Sequence, residues 1–526
     1  MNPPPSDAFS DPVARTSSST EANPRTRPRD WAFKAGAVIV LTLLFLLFID
    51  RFSTDLNGQR YFALSDDQMI SMRYADNLAS GHGLVWNPGE RVEGFTNPLW
   101  TGYMAVWHLV GIPRAKTSLA IMLTSALILI LNALAVYSIA LRLSPESRTV
   151  ARVAMVLAGT YWPLVKWSLE GFEVGLAALL TTIVTLETFV YMEDRRTRHL
   201  AAMTICLIAL GWTRLEMLAV AGFPVAYLLL TDTARTRVIK GVIAPVAAGV
   251  AALFIVRYWY YGEWLPNTYY LKLTGVAFLD RLDLGLAKTW STLKTHFSIV
   301  FAPILLALVL LRPRGAGERR AWILMATFAV AMLYTIYIGG DTWERPYHAN
   351  RFLATTTPLL MVVALHFTNG LVRRVRSQGL AAPLVVAMVG LLMVVGLGGR
   401  SFYRWWRTDV KHTTLFEMVA LGEELRERAP LDTKVAVVWA GALPYFSRLY
   451  TIDLLGKSDK VIARSTPHNM SPGHNKWNYE HSIGVLEPDI IVQLWRARKE
   501  DIEYVTKLGY SGEPNGMYFR KSPHRR

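Results

Sequence analysis

Long apolar runs that contain no charge set the limits on what this chain can become. Residues 36–49 and 117–141 hold no Asp, Glu, Lys or Arg, and an uncharged run approaching 20 residues reads as a membrane-spanning helix. Similar segments fall near 99–141 (a short first piece, then a long one), 153–166, 174–192, 200–213, 217–230, 241–258, 298–311, 321–338, 353–371 and 380–398. Together they predict a polytopic α-helical membrane protein with about eleven transmembrane helices. The pieces at 200–213 and 217–230 are short for spans, which suits a helical hairpin or a broken helix. Only 18% of the 526 residues are charged, against about 25% in an average soluble protein. A single large membrane unit is therefore expected in place of several soluble domains.

The connecting segments alternate in character. Short basic loops carry Arg142/Arg148/Arg152, Arg195/Arg196/Arg198, Arg235/Arg237/Lys240, Arg312/Arg314/Arg319/Arg320 and Arg373/Arg374/Arg376. By the positive-inside rule these face the cytoplasm together with the N-terminus. The same rule accounts for the net charge of +16 without nucleic acid, because the basic residues form no aromatic-interleaved face. Residues 1–33, rich in Pro, Ser, Thr and Arg, read as a disordered cytoplasmic N-terminus. No small-residue cleavage site precedes Asp50-Arg51, so the first helix is expected to stay uncleaved. Residues 34–399 then form the transmembrane domain. The longer, chemically mixed segments 51–98, 167–173, 214–216, 259–297 and 339–352 lie outside, as does the tail at 400–526. That tail has strand-like runs at 434–439 and 488–493 and helix-like stretches at 411–428 and 497–508, which predicts a small extracytoplasmic α/β domain.

The informative stretch runs from 61 to 100. Ser65 followed by Gln68 has the spacing of a capping box, so a helix should begin there. On it Asp66, Arg73 and Asn77 share one face, while Met69, Met72, Ala75 and Ala79 suit a helix lying along the membrane surface. Two readings of Asp66 and Asp67 stand side by side. Acidic residues in a first turn complement the helix dipole, but a long loop with turn chemistry through Trp100 is the kind that carries function. Charged residues at the outer helix ends gather on the same side: Lys166, Glu170, Arg214, Glu216, Lys272, Asp341, Glu344, Arg345, His348 and Arg351. Charges at membrane depth mark sites, although pairing between helix ends is the alternative, with Arg214–Glu216 the best candidate. Such a pool suits phosphate-leaving-group chemistry, with a base for an acceptor hydroxyl and cations for the departing phosphate. Histidine ligation by His82, His348 or His474 has no helical partner spacing to support it. A divalent cation, Mg or Mn, on Asp66 or Asp67 fits hard-ligand chemistry better. No Gly-rich phosphate cradle is present, and Cys206, inside an apolar run, reads as core.

The residues also carry a resemblance. Asp66-Asp67-Gln-Met-Ile-Ser-Met-Arg73-Tyr74, Gly81-His82-Gly83-Leu-Val-Trp86-Asn87 and Glu93-Gly94-Phe95-Thr96-Asn97-Pro98-Leu99-Trp100 resemble the GT-C superfamily of glycosyltransferases. More narrowly they resemble the terminal β-1,2-arabinofuranosyltransferases of the mycobacterial cell wall. The resemblance continues through Pro266-Asn267-Thr268-Tyr269-Tyr270, Gly339-Gly340-Asp341, Asn350-Arg351-Phe352, Ala440–Tyr445 and Ile452–Gly456. It implies transfer of a sugar, arabinofuranose first, from a polyprenyl-phosphate donor to a cell-envelope polysaccharide at the outer face of a bacterial plasma membrane. It makes Asp66 the base or acceptor-positioning residue, with Asp67 second. From the pool of charges at the outer helix ends, the donor phosphate is expected on some of Arg214, Lys272, Arg345 and Arg351, and substrate contacts on Arg73, Tyr74, Asn77, Glu93, Thr96, Asn97, Glu216, Asp341 and His348. Two alternatives stay open: a GT-C enzyme for another polyprenyl-phosphate sugar, such as mannose or aminoarabinose, and a transporter or flippase for a lipid-linked saccharide. The latter class usually shows repeats and broken helices in matching halves, which this sequence lacks.

Overall fold

A computed structural model describes residues 28–310, 316–341, 350–375, 381–399, 402–403, 413–469 and 473–520. Among these, six helices are long and apolar enough to cross a membrane: Asp30–Arg51, Arg114–Leu143, Val174–Asp194, Arg235–Tyr261, Phe278–Leu310 and Gly317–Tyr337. Met217–Thr231 and Ala381–Leu397 are shorter apolar helices, and Arg148–Thr160, Thr197–Thr213 and Thr357–Val375 pack with them in the bundle. Leu359 through Leu365 are buried on every side, so Thr357–Val375 runs through the middle. Outward-facing Ile39, Leu43, Leu230, Val309, Leu384 and Leu391 leave apolar surface exposed, as lipid requires and water would not tolerate. Inside, polar groups are satisfied locally. Thr185, Thr188, Thr327 and Thr335 donate to carbonyls four residues back, and Thr182 donates to Asn132 at 2.8 Å, the economy expected where no water is available.

The basic loops meet at one end of the bundle. Arg148 and Arg152 both reach Asp30. Arg320 bonds Glu193 and the Arg142 carbonyl, each at 2.7 Å, and Arg373 donates to the Glu146 carbonyl. The mixed segments gather at the opposite end. There the residue 51–98 loop opens with a hairpin of β1 (Ser53–Leu56) and β2 (Gln59–Phe62). Its turn is Asn57-Gly58, both with positive φ (51° and 79°), a backbone geometry in which Asn and Gly are the tolerated residues.

One expected loop is largely helix. Residues 259–297 hold a short helix, Asn267–Leu273, and then the start of the continuous Phe278–Leu310 helix. Its first turns carry Asp280, Arg281, Asp283 and Lys288, which mask the helical period. They are held in place because Arg281 donates to the Tyr337 carbonyl at 2.9 Å. Gly285 also lies so close to the Ile336 carbonyl that a Cβ would come within 2.1 Å of its oxygen.

The tail forms the predicted α/β unit. Helix Thr413–Arg428 precedes a five-stranded sheet ordered β4-β3-β5-β7-β6, with β3 Lys434–Val437, β4 Tyr450–Asp453, β5 Ile490–Ile491, β6 Tyr510–Gly512 and β7 Tyr518–Arg520. β3 runs parallel to β4 and β5, and the β5–β7 and β7–β6 pairs are antiparallel. The loops at the C-terminal ends of β3 and β4 face the membrane unit, which is where a parallel pair presents functional residues.

Candidate active site

A helix does begin where the sequence placed it, spanning Asp66–Ala79. The capping box, however, does not form: Ser65 makes no side-chain cap bond. Gln68 instead accepts from Asn97 at 3.2 Å, and the Ser65 N–H donates to the Glu170 carbonyl at 2.9 Å. Nor does the helix lie on a surface. Gln68 through Asp76 are all buried, because the polar face that reads as solvent-directed is covered by the tail. Arg73, the centre of the expected polar stripe, donates to the carbonyls of Trp86 (2.5 Å), Leu449 (2.8 Å) and Pro444, and to Asn87 Oδ1 (2.9 Å). Asn77 donates to the Val85 and Trp86 carbonyls. The Tyr74 hydroxyl donates to the Val92 carbonyl at 2.7 Å and accepts from the Gly94 N–H at 2.9 Å. These three side chains pin the 83–94 loop and sit behind the site.

The two aspartates diverge. Asp66 accepts from the N–H groups of Gly441 (3.1 Å) and Ala442 (2.9 Å), at the start of the Ala442–Ser447 helix. The approach is so close that a Cβ on Gly441 would lie 1.9 Å from the Asp66 carbonyl oxygen. Burial pushes the Asp66 carboxyl up to about 6, against the lowering by the Ala442 amide and by Lys457. Asp67 faces a cavity of about 370 Å3. Its Oδ1 is ion-paired with Lys457, and Arg351 Nη1 lies 3.8 Å from Oδ2. Burial disfavours the charged form, but Lys457 and then Arg351 outweigh it and hold this carboxyl well below the usual range.

Around Asp67 the cavity gathers, besides Lys457, cations from four separate elements. Arg214, in the turn between Thr197–Thr213 and Met217–Thr231, bonds Glu173 (2.8 Å) and Glu216 (2.6 Å), so the short pair of helices meets at the site. Arg351 makes a bidentate pair with Asp341, both contacts 2.9 Å. Arg257 and Glu93 form a fully buried pair at 2.6 and 3.1 Å. Lys272 projects into the same space, and no carboxylate among the described residues pairs with it. Desolvation, then Arg351 and Arg214, push its ammonium down to about 8. His474 also lines the cavity and is pushed down to about 4 by desolvation and then by Lys457, so it is neutral there.

Of the residues nominated by sequence, Asp67, Thr96, Asn97, Arg214, Glu216, Lys272, Asp341 and Arg351 line this cavity. Asn97 is fully engaged, donating to Glu173 (2.7 Å) and Gln68 while accepting from Ser71 and Thr101. Glu93 stands behind the wall through Arg257. Lys166 and Glu170 pair with each other at 2.8 Å. Glu344, Arg345 and His348 fall outside the described residues. The Gly441 and Ala442 amides hold the Asp66 carboxylate, and the Lys457 ammonium pairs with that of Asp67. No group of three or more His, Cys, Asp or Glu among the described residues is arranged to hold a metal.

Sequence reasoning missed Lys457, Glu173 and Arg257, and weighed His474 only as a metal ligand. Arg257 had a signal, a charge near the end of an apolar helix. Lys457 stands one residue beyond the Ile452–Gly456 motif.

Comparison with known proteins bears on the class. Residues 406–520 match the family model described as "Domain of unknown function (DUF8728)". The terminal beta-(1->2)-arabinofuranosyltransferase of Corynebacterium glutamicum is 28% identical over 330 residues, 53% of this chain and 45% of that protein. Its counterpart in Mycobacterium tuberculosis is 28% identical over 222 residues, 39% of this chain and 34% of that protein. The chain thus matches less than half the length of these curated relatives. Among solved structures, ArnT from Cupriavidus metallidurans in the apo state aligns with TM-score 0.53 at 12% identity over 92% of this chain and 97% of that one. ArnT bound to undecaprenyl phosphate gives 0.51 at 14% identity, over 82% and 87%. The apo Archaeoglobus fulgidus oligosaccharyltransferase gives 0.53 at 10% identity, over 95% and 75%. The chain is a multi-pass helical membrane protein with the GT-C glycosyltransferase fold and a C-terminal region that contains a sheet. Within that class its sequence is similar to terminal β-(1→2)-arabinofuranosyltransferases, as the motifs at 66–100 imply.

Proposed function

We propose that this chain is a membrane glycosyltransferase that moves a sugar, arabinofuranose by preference, from a polyprenyl-phosphate donor to a cell-envelope glycan. In this reading the site lies on the extracytoplasmic side of a bacterial plasma membrane. The observation that carries it is the cavity itself: the Asp67 carboxylate stands among Lys272, Arg214 and Arg351 on a fold shared with ArnT.

Glycosyl transfer forms a bond between an acceptor oxygen and the anomeric carbon, breaks the bond from that carbon to phosphate, and releases one proton. The leaving phosphate gains charge as the bond breaks, so cations preset around it stabilise the transition state more than the ground state. Lys272 is an ammonium that no carboxylate among the described residues pairs with, and Arg351 and Arg214 are held rigid by Asp341, Glu173 and Glu216. Asp67 orients the acceptor hydroxyl and takes its proton. Asp66, turned into the Gly441–Ala442 amides, positions the tail beside the site. The balanced outcome is a glycosylated acceptor, polyprenyl monophosphate and one proton.

The test is a donor panel with purified full-length protein in detergent. Polyprenyl-phosphate arabinofuranose, mannose and aminoarabinose, each labelled in the sugar, are offered with an oligosaccharide acceptor. Label should move to the acceptor from the arabinofuranosyl donor. Transfer from a different donor would overturn the sugar assignment, and movement of labelled lipid across vesicles without transfer would overturn the enzyme reading. Lys272→Gln should lower kcat by about 100-fold, the scale for removing one preset charge-stabilising donor.

A further inference from the structure

The tail does more than cover the Asp66–Ala79 helix. Its β4-to-helix loop is a rigid device that ends in Lys457. Asp453, the last residue of β4, accepts from the N–H groups of Leu455 (2.9 Å), Gly456 (3.1 Å) and Ser458 (2.8 Å). Gly456 takes φ +77°, and a Cβ there would sit 2.7 Å from Ile462, so the tight turn needs glycine. From the membrane unit, Asn267 donates to the carbonyls of Gly456 (3.0 Å), Lys457 (3.0 Å) and Asp459 (3.1 Å). The buried Lys476 ammonium ties the adjoining elements by donating to the carbonyls of Tyr270 and Ala463 and to Thr274. Every backbone constraint on this loop fixes where the Lys457 side chain enters the cavity.

Its ammonium meets Asp67 there, on the cavity wall that also presents Lys272, Arg351 and Arg214. The cations repel one another. Lys272 is depressed by Arg351, Arg214 and Lys457 together, beyond its desolvation. Carboxylates hold Arg351 and Arg214 in bidentate or doubly paired arrangements. Lys457 has the more exchangeable partner, since its carboxylate is shared at longer range with Arg351 and keeps about a quarter of its side-chain surface open, at 26%. A compact ammonium on a flexible stem can change partner where a clamped guanidinium cannot.

We propose that Lys457 is a donor-phosphate ligand supplied by the tail, stored on Asp67 and handed to the phosphate when a polyprenyl-phosphate sugar binds. This inference rests on the glycosyltransferase reading above and deepens it. The hand-over couples two events. As the Lys457 ammonium moves to the phosphate, Asp67 loses its main counter-ion and becomes a better acceptor for the hydroxyl proton. The carboxylate is thereby kept a poor base until the donor is in place, and the sheet-containing tail becomes a required part of the active site.

Binding of undecaprenyl monophosphate, with undecaprenol as the phosphate-free control, tests this on the purified full chain in detergent. Lys457→Gln should weaken monophosphate binding about tenfold or more, the scale of one charge-assisted hydrogen bond, and Lys457→Arg should recover most of it. Asp67→Asn should bind the monophosphate more tightly than wild type, because it removes the competing carboxylate. A merely structural ion pair would not produce that gain. If Lys457→Gln does not fold, Asp67→Asn/Lys457→Met removes the pair without stranding a charge and should bind about tenfold more weakly than Asp67→Asn alone. Unchanged binding in Lys457→Gln beside a clear loss in Lys272→Gln would overturn the hand-over and leave the glycosyltransferase reading standing. A wild-type protein that does not distinguish monophosphate from undecaprenol would overturn both.

Discussion

Replacing Arg73 by Met should loosen one defined region and leave the bundle intact. Arg73 is 4% exposed and spends its guanidinium on the Trp86 carbonyl and Asn87 Oδ1 in the first large loop, and on the Pro444 and Leu449 carbonyls in the tail. Methionine keeps a comparable stem but removes every donor. A hydrogen bond to a charged group is worth about 1.5–3 kcal/mol, and each buried acceptor left without a partner costs about 1–3 kcal/mol. These terms share one side chain and do not add. The partners left behind are neutral oxygens, so the total is that of a few stranded acceptors, about 3–5 kcal/mol. Some of this is recovered as the loop relaxes toward water, so about 3 kcal/mol is the expected loss in local opening free energy. Hydrogen exchange with mass spectrometry on the purified protein reads it directly. Amides near 84–90 and 442–451 should exchange on the order of 100-fold faster in Arg73→Met, while those of the Thr357–Val375 helix keep their wild-type rates. Arg73→Lys should fall between, since an ammonium cannot span four acceptors. Equal exchange in wild type and Arg73→Met would refute the idea that this residue staples the loop to the tail.

The Glu93–Arg257 pair is 4% and 5% exposed on its two side chains, so Glu93→Gln should destabilise by about 3–5 kcal/mol by stranding the guanidinium. Glu93→Leu/Arg257→Met should recover most of that loss in a thermal unfolding assay. Asp66 gives a pH signature. Its folded pKa of about 6 lies above the ordinary 3.8, so the native state binds the extra proton between those values. The stability it contributes is fully present below about pH 4 and is lost as pH rises through about 6; Asp66→Asn should abolish that slope in unfolding midpoints measured from pH 4 to 7. Asp67 has the opposite sign: its stability is present above about pH 4 and is lost below.

Much of the fold is legible in the sequence because lipid imposes simple rules. The uncharged runs become helices, the basic loops collect at one end, and the strand-like runs at 434–439 and 488–493 become β3 and β5. Asn57-Gly58 is a hairpin signal inside a segment whose mixed composition otherwise reads as loop. The 278–297 stretch was missed because Asp280, Arg281, Asp283 and Lys288 are exposed or pinned at a helix–helix contact and break the apolar pattern. At the site, local spacing reads faces but not what covers them. Ser65 and Gln68 have capping-box spacing, yet Gln68 is turned to Asn97 by a tertiary bond. Arg73 and Asn77 share a polar face with Asp66, and at Asp66 and Arg73 that face is closed by residues more than 350 positions later in the chain. The same distance hid Lys457, whose importance exists only where the β4 loop meets Asp67.

The central claim, that Asp67 is the carboxylate at which transfer occurs, is tested most directly by comparing Asp67→Asn with Asp66→Asn. Both would be purified as folded proteins and assayed for sugar transfer from polyprenyl-phosphate arabinofuranose to an oligosaccharide. Asp66→Asn keeps an oxygen to accept from the Gly441 and Ala442 amides and should retain activity within about tenfold, whereas removing a positioned proton acceptor at Asp67 should cost about 100- to 10,000-fold in kcat. Undiminished transfer by Asp67→Asn, with loss confined to Asp66→Asn, would contradict the account.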